Sequence, residues 1–243
     1  MVKKIFLLSF VLICCVITTS CKKEVTTDIS STATVIPTQI LPSPDISSST
    51  LSDNQDPKNP LSAYKDVLQN KTEFITTLYE ENGTKTIYLD QLLDDGLNNY
   101  KFLNFAVLDM DGDELPEVVI QYCLTNDYPY PDFVEVLHYS KDTVYGYNFG
   151  YRSLYGLKTD GTFRWSGGAD DDGYSKLRFT SNNYEYDDIG YRKPNYPNPS
   201  YFINNQTVTE SAYNDFIKSQ KDKKDAIWYD FTEENIDNQL STD

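Results

Sequence analysis

Phe105-Ala106-Val107-Leu108-Asp109-Met110-Asp111-Gly112-Asp113-Glu114-Leu115-Pro116-Glu117-Val118-Val119-Ile120 decides how this chain reads. Apolar, largely β-branched residues stand on both sides of an acidic segment, the pattern of two buried strands joined by a tight loop. Counting Asp109 as position 1, acids fall at positions 1, 3, 5 and 9. Alternate residues of a sharply turning chain aim oxygens at one point, and a hard cation such as Ca²⁺ collects roughly six to eight of them. Asp109, Asp111, Asp113 and Glu117 are therefore expected as carboxylate ligands, with the Leu115 carbonyl at the seventh position. Without a cation the four carboxylates would repel one another and hold protons more tightly. The competing reading is an acidic, solvated connection that binds nothing.

The loop departs from an EF-hand in two places. Glu114 stands at position 6, where that motif uses Gly, and Ile120 at position 12, where it uses a bidentate Glu. The strand-forming flanks also argue against two helices. The segment resembles the calcium loops of integrin-type propeller repeats, over about nine residues and only once, so it implies no propeller.

The chain has 243 residues, enough for one domain with a tail and a real core. Its 21 basic and 37 acidic residues give a net charge of −16. That excludes nucleic acid as the main partner, because a phosphate backbone is bound through clustered Lys and Arg. Aromatic residues make up 14%, led by 20 tyrosines, and supply core material despite the polar composition. Of four cysteines, Cys14, Cys15 and Cys21 belong to the N-terminal segment, so no bridge is expected within the body. Cys123 reads as a buried small hydrophobe.

Lys3-Lys4 followed by the apolar run 5–17 reads as an export signal, too short to span a bilayer. Thr18-Thr19-Ser20 places small residues before Cys21. The pattern resembles a bacterial lipoprotein signal, which implies removal of 1–20, a lipid such as palmitate on Cys21, and a membrane anchor on the extracytoplasmic face. Ordinary cleavage and release is the alternative. Residues 21–58 are rich in Ser, Thr and Pro without sustained apolar period, and are expected to be a disordered tether.

The globular part is expected over 59–243, as a mostly antiparallel α+β domain with an N-terminal helix and C-terminal helices packed on the sheet. One helix is predicted over 61–79, with a break near Lys71-Thr72 as the alternative, then a strand over 86–89 and a helical turn at Leu92-Leu93. Strands are predicted over 133–139, 143–147 and 174–179, with a hairpin of 154–157 and 162–165 around Asp160-Gly161. Residues 181–200 read mostly as loop, 201–208 as a hairpin around Asn204-Asn205. Thr209 and Thr232 read as caps of helices through 219 and 240.

From Asp109-Met110-Asp111-Gly112-Asp113 through Leu157-Lys158-Thr159-Asp160-Gly161-Thr162-Phe163 to Trp228-Tyr229-Asp230-Phe231-Thr232, the pattern resembles an uncharacterised lipoprotein family of clostridia-like Gram-positive bacteria. That resemblance implies export, lipid anchoring and one α+β domain, and no activity.

Catalytic chemistry finds little support. His138 is the only histidine and alternates onto one face with Val134 and Val136, as a satisfied strand residue would. A pairing with Cys123 rests on spacing alone. Acid pairs of the glycosidase type arise by chance among so many carboxylates. Asp170-Asp171-Asp172 reads as a solvated loop before a second ion site, because consecutive residues do not converge. Tyr184, Tyr186, Tyr191, Tyr196 and Tyr201 read as packing against the sheet, with stacking on sugars or peptides as the alternative. The function expected is a calcium-binding surface lipoprotein with a structural or ligand-binding role, taking a glycan or protein ligand. The alternative is a hydrolase acting on cell-wall glycans.

Overall fold

The computed structural model describes residues 59–77, 83–125 and 130–241, all within the compact unit Asp53–Asp243. The expected signal and tether, with Cys21, lie outside the described residues. Among these, no helix is long and apolar enough to cross a membrane.

Helix α1 (Pro60–Leu68) begins where the Asn59 side chain accepts the Leu61 N–H at 2.9 Å, with Pro60 in the first turn. Ala63, Tyr64, Val67 and Leu68 form its buried face. The predicted continuation to 79 is corrected: Asn70 turns left-handed (φ 57°) and ends the helix. Phe74–Thr77 is instead strand β1, whose Phe74 and Thr76 alternate inward. Leu78 and Tyr79 lie outside the described residues. After β2 (Lys85–Ile87), Leu89–Leu93 forms the expected helical turn, as a 3-10 helix.

Strands β3 (Tyr100–Leu108), β4 (Glu117–Leu124), β5 (Phe133–Ser140) and β6 (Thr143–Phe149) pair antiparallel in sequence order. β1 joins β6 in parallel, and β12 (Tyr229–Asp230) joins β3, giving a seven-stranded sheet ordered β12-β3-β4-β5-β6-β1-β2. A second, five-stranded antiparallel sheet is ordered β11-β10-β9-β8-β7: β7 is Phe163–Ser166, β8 Asp172–Thr180, β9 Asn183–Lys193, β10 Ser200–Ile203 and β11 Gln206–Val208.

Period-2 alternation decides what lies on each face of the large sheet. Phe105, Val118, Ile120 and Leu137 point toward α1, Leu89 and α3 (Glu233–Gln239), where Ile236 and Leu240 close the cluster. Val119, Val136, Tyr147 and Phe149 point the other way, onto Phe163, Leu177 and Phe179 of the second sheet. The result is an α+β arrangement of helices, sheet and sheet. Thr209 and Thr232 cap α2 (Glu210–Lys221) and α3 through the N–H groups of Ala212 and Asn235. α2 lies along β10, and Phe216 sits so close to Gly190 that any Cβ there would overlap its ring.

Two further expectations are corrected. Residues 183–193, read as loop, are β9, paired with β8 across one bulge at Tyr174/Ser175. Tyr184 and Tyr186 turn onto Phe149, while Glu185 and Asp187 face water, so polar residues concealed a real alternation. The arm 154–157 is no strand. Only Tyr155 pairs with Arg164, and the next backbone groups bond the 224–226 segment, through Thr159 N–H to Lys224 and Ala226 N–H to Leu157.

Candidate metal centre

The acidic loop leaves β3 at Leu108 and enters β4 at Glu117, residues that face each other in the ladder. Between them the chain reverses through Gly112 (φ 89°) and Glu114 (φ 72°). Glu114 thus adopts, as a non-glycine residue, the left-handed geometry that an EF-hand assigns to Gly at the same position. Asp109 stabilises the turn by accepting the N–H groups of Gly112 at 2.6 Å and Glu114 at 3.1 Å.

Ligand oxygens of Asp109, Asp111 and Glu117 converge within 4.8 Å of one another, a group able to hold a metal ion. The donors are all carboxylate oxygens, the set suited to hard cations. Asp113 and Leu115 stand beside this triad in the loop. The Asp113 carboxylate accepts the Leu115 N–H at 2.8 Å, and Leu115 is exposed.

Glu117 is fully buried, with Oε2 accepting the Met110 N–H at 2.9 Å and Oε1 lying 3.1 Å from His138 Nδ1. Burial pushes its pKa above the ordinary carboxylate value, opposed by the His138 and Met110 contacts and reinforced by the charge of Asp111. A cation among these oxygens would reverse that balance and favour the ionised form. Asp111 reaches the other sheet, its Oδ2 accepting the Phe179 N–H at 3.2 Å. The Phe179 ring stacks on His138 at 4.6 Å between centroids. The triad is therefore built into both sheets.

Spacing alone pointed to the acids but not to His138 or Phe179. The signal for His138 lies in register: Val118 pairs with Leu137, so the next step sets Glu117 opposite His138. The same register overturns a Cys123–His138 pairing. Cys123 lies six positions along β4 from Glu117, about 20 Å at the usual strand rise.

Asp170-Asp171-Asp172 is no second triad. Asp172 is buried between Arg164, at 2.8 Å, and Arg192 Nε, and Asp170 also faces Arg192. Guanidinium groups stand where a metal would. Of the five tyrosines, Tyr184, Tyr186 and Tyr191 pack in aromatic clusters, with Tyr186 still 45% exposed, Tyr201 lies 5.2 Å from Tyr213, and Tyr196 projects into solvent. No family model, curated protein or solved structure matches the chain.

Proposed function

We propose that the chain is an exported surface lipoprotein whose folded domain is stabilised by one calcium ion in the β3–β4 loop. The observation that carries this reading is the convergence of Asp109, Asp111 and Glu117 within 4.8 Å on an all-oxygen donor set. Asp113 and the Leu115 carbonyl complete the ligand set when the ion arrives, since Ca²⁺ takes about six to eight oxygens and three carboxylates do not fill it. A lipid on Cys21 holds the protein to the extracytoplasmic face of the membrane, and the acidic domain presents a ligand-binding surface beyond it. Support for the anchor is the apolar run 5–17 with small residues before Cys21.

Calcium titration tests the ion. At a dissociation constant of about 0.1 mM, typical of weaker extracellular sites, 10 mM Ca²⁺ adds about 2.7 kcal/mol. For a domain of this size that is a rise in melting temperature of about 5–10 °C. Asp111→Ala abolishes the rise, and an unchanged wild-type melt from chelator to calcium would overturn the proposal. Palmitate incorporation into wild type but not Cys21→Ser tests the anchor, and equal labelling of the two refutes it.

A further inference from the structure

Two cavities, of about 340 Å³ and about 620 Å³, meet at Arg152 on the flank of the second sheet. Both fall in the range of small-ligand sites, roughly 300–1,000 Å³. The smaller presents Trp165 and Tyr186 beside Arg152, Asp188 and two serines. The larger continues past Phe133 and Tyr155 to Tyr130 and Tyr151, residues that are 70% and 71% exposed. None of these residues belongs to the acidic loop.

We propose that this groove binds a neutral oligosaccharide, one unit stacked at Trp165 and Tyr186 and the chain continuing across Arg152 toward Tyr130 and Tyr151. The proposal supplies a ligand class for the binding role above and rests on that reading only for its setting outside the cell.

The wall of the smaller cavity is set in advance. The Trp165 indole N–H donates to Ser175 Oγ at 2.8 Å, and that hydroxyl donates to Asp188 Oδ1 at 2.5 Å. Ser175 is fully buried, so an aromatic face and a carboxylate acceptor are fixed by one anchored hydroxyl. Arg152 is tied to the same strand as Trp165. Its carbonyl accepts the Ser166 N–H at 2.9 Å and its Nη2 donates to Ser166 Oγ at 2.5 Å. A guanidinium carries about five N–H donors, and this contact uses one.

Arg152 also has φ 66°, a left-handed conformation that strains a non-glycine residue. Such strain gathers where a side chain is kept for what it contacts. Here it holds a donor at the junction of the two cavities.

The chemistry selects the occupant. Sugar rings offer an apolar C–H face to aromatic side chains and a rim of hydroxyls that both donate and accept. A fixed donor and a fixed acceptor, Arg152 and Asp188, match neighbouring hydroxyls. Asp188 in one cavity and Asp132 in the other offset the charge of Arg152, so neither a polyanion nor a polycation finds complementarity. A peptide adding as a strand is excluded at the adjacent edge of β7. Arg164 exchanges hydrogen bonds with Tyr155, at 2.7 and 2.9 Å, and Ser166 bonds Arg152, so residues 152–155 already cover that edge.

The test is titration calorimetry of the full chain with cellotetraose, chitotetraose and mannotetraose, beside a tetrapeptide of Ala, Tyr, Ser and Gly. At least one tetrasaccharide binds saturably and the tetrapeptide does not. Tyr186→Ala and Trp165→Ala each weaken binding roughly tenfold or more, as loss of a central aromatic contact does. Arg152→Gly loses binding similarly while melting no lower than wild type, because glycine accepts the left-handed backbone without strain. That variant separates loss of the ligand from loss of the fold. Absence of heat with every tetrasaccharide, wild-type affinity in Arg152→Gly, or binding of the peptide alone overturns the proposal. None of these outcomes touches the calcium melt, so the two readings fail separately.

Discussion

Glu135 shows how much one side chain can set. It is fully buried on β5, with Oε1 accepting from Thr76 Oγ1 at 2.5 Å and Oε2 from Asn148 Nδ2 at 2.8 Å. Both partners are neutral, so desolvation dominates and its pKa is pushed up to about 7. The unfolded chain releases this proton near the ordinary value of about 4.3, while the folded protein keeps it until near neutrality. Glu135 thus favours folding most below that ordinary value, and its contribution declines as pH rises to about 7, then stays level. The loss is of order 3 kcal/mol at about 1.4 kcal/mol per unit of pKa. Glu135→Gln keeps an acceptor for Asn148 and a donor for Thr76. Urea unfolding at about pH 5 and about pH 8 checks the outcome: the variant gains most over wild type at the higher pH. Equal gains at both would show that Glu135 is not the group titrating. Glu117 is raised in the same direction, but it faces Asp109 and Asp111, where a cation can ionise it. Burial of the same chemical group therefore gives a proton store on one face of the sheet and a candidate metal ligand on the other.

Strands β3 to β6 were legible because apolar, largely β-branched and aromatic residues run through them, and the acid spacing of the loop was legible because alternation is itself the geometry of convergence. What stayed hidden depends on partners distant in sequence. β1 is a strand because Ile75–Thr77 pair in parallel with Tyr145–Tyr147, which no local propensity announces. The Asn204-Asn205 turn was readable, and both residues are left-handed (φ 49° and 61°), as a two-residue hairpin requires. Asn204→Val in that turn costs about 1–2 kcal/mol, and Asn204→Gly costs nothing or stabilises, measured by thermal melts. Asp160-Gly161 was equally readable as a turn, but its purpose was not. Gly161 has φ 78°, and a Cβ there would lie 2.0 Å from the Met110 carbonyl oxygen, within the acidic loop. Gly161→Ala is thus expected to destabilise by more than about 2 kcal/mol and to weaken Ca²⁺ binding, because the backbone beside Asp109 and Asp111 must shift. A variant that loses stability but keeps wild-type calcium affinity would show that the contact supports the fold alone.

For the molecule as a whole, the question is whether calcium acts at one site or on a net charge of −16. Self-repulsion of that size destabilises a compact state, and any added salt relieves it by screening over roughly 8–10 Å. The loop geometry distinguishes the two effects. Asp111 bonds the Phe179 backbone of the second sheet, and Glu117 of the first sheet bonds His138, on which Phe179 stacks. An ion held by Asp111 and Glu117 therefore fastens one sheet to the other, and its binding energy enters the global unfolding transition. At matched ionic strength near 0.15 M, calcium should raise the melting temperature beyond sodium chloride by several degrees, saturating as a single site does. Asp111→Ala should remove the excess and retain the sodium response, since it deletes one charge among many but takes a ligand oxygen from the triad. If sodium chloride reproduces the whole gain, screening accounts for the effect and the triad is only an acidic turn. If calcium retains its excess in Asp111→Ala, the ion sits elsewhere on the acidic surface. Only saturation lost with one carboxylate makes the β3–β4 loop the place where the two sheets are joined.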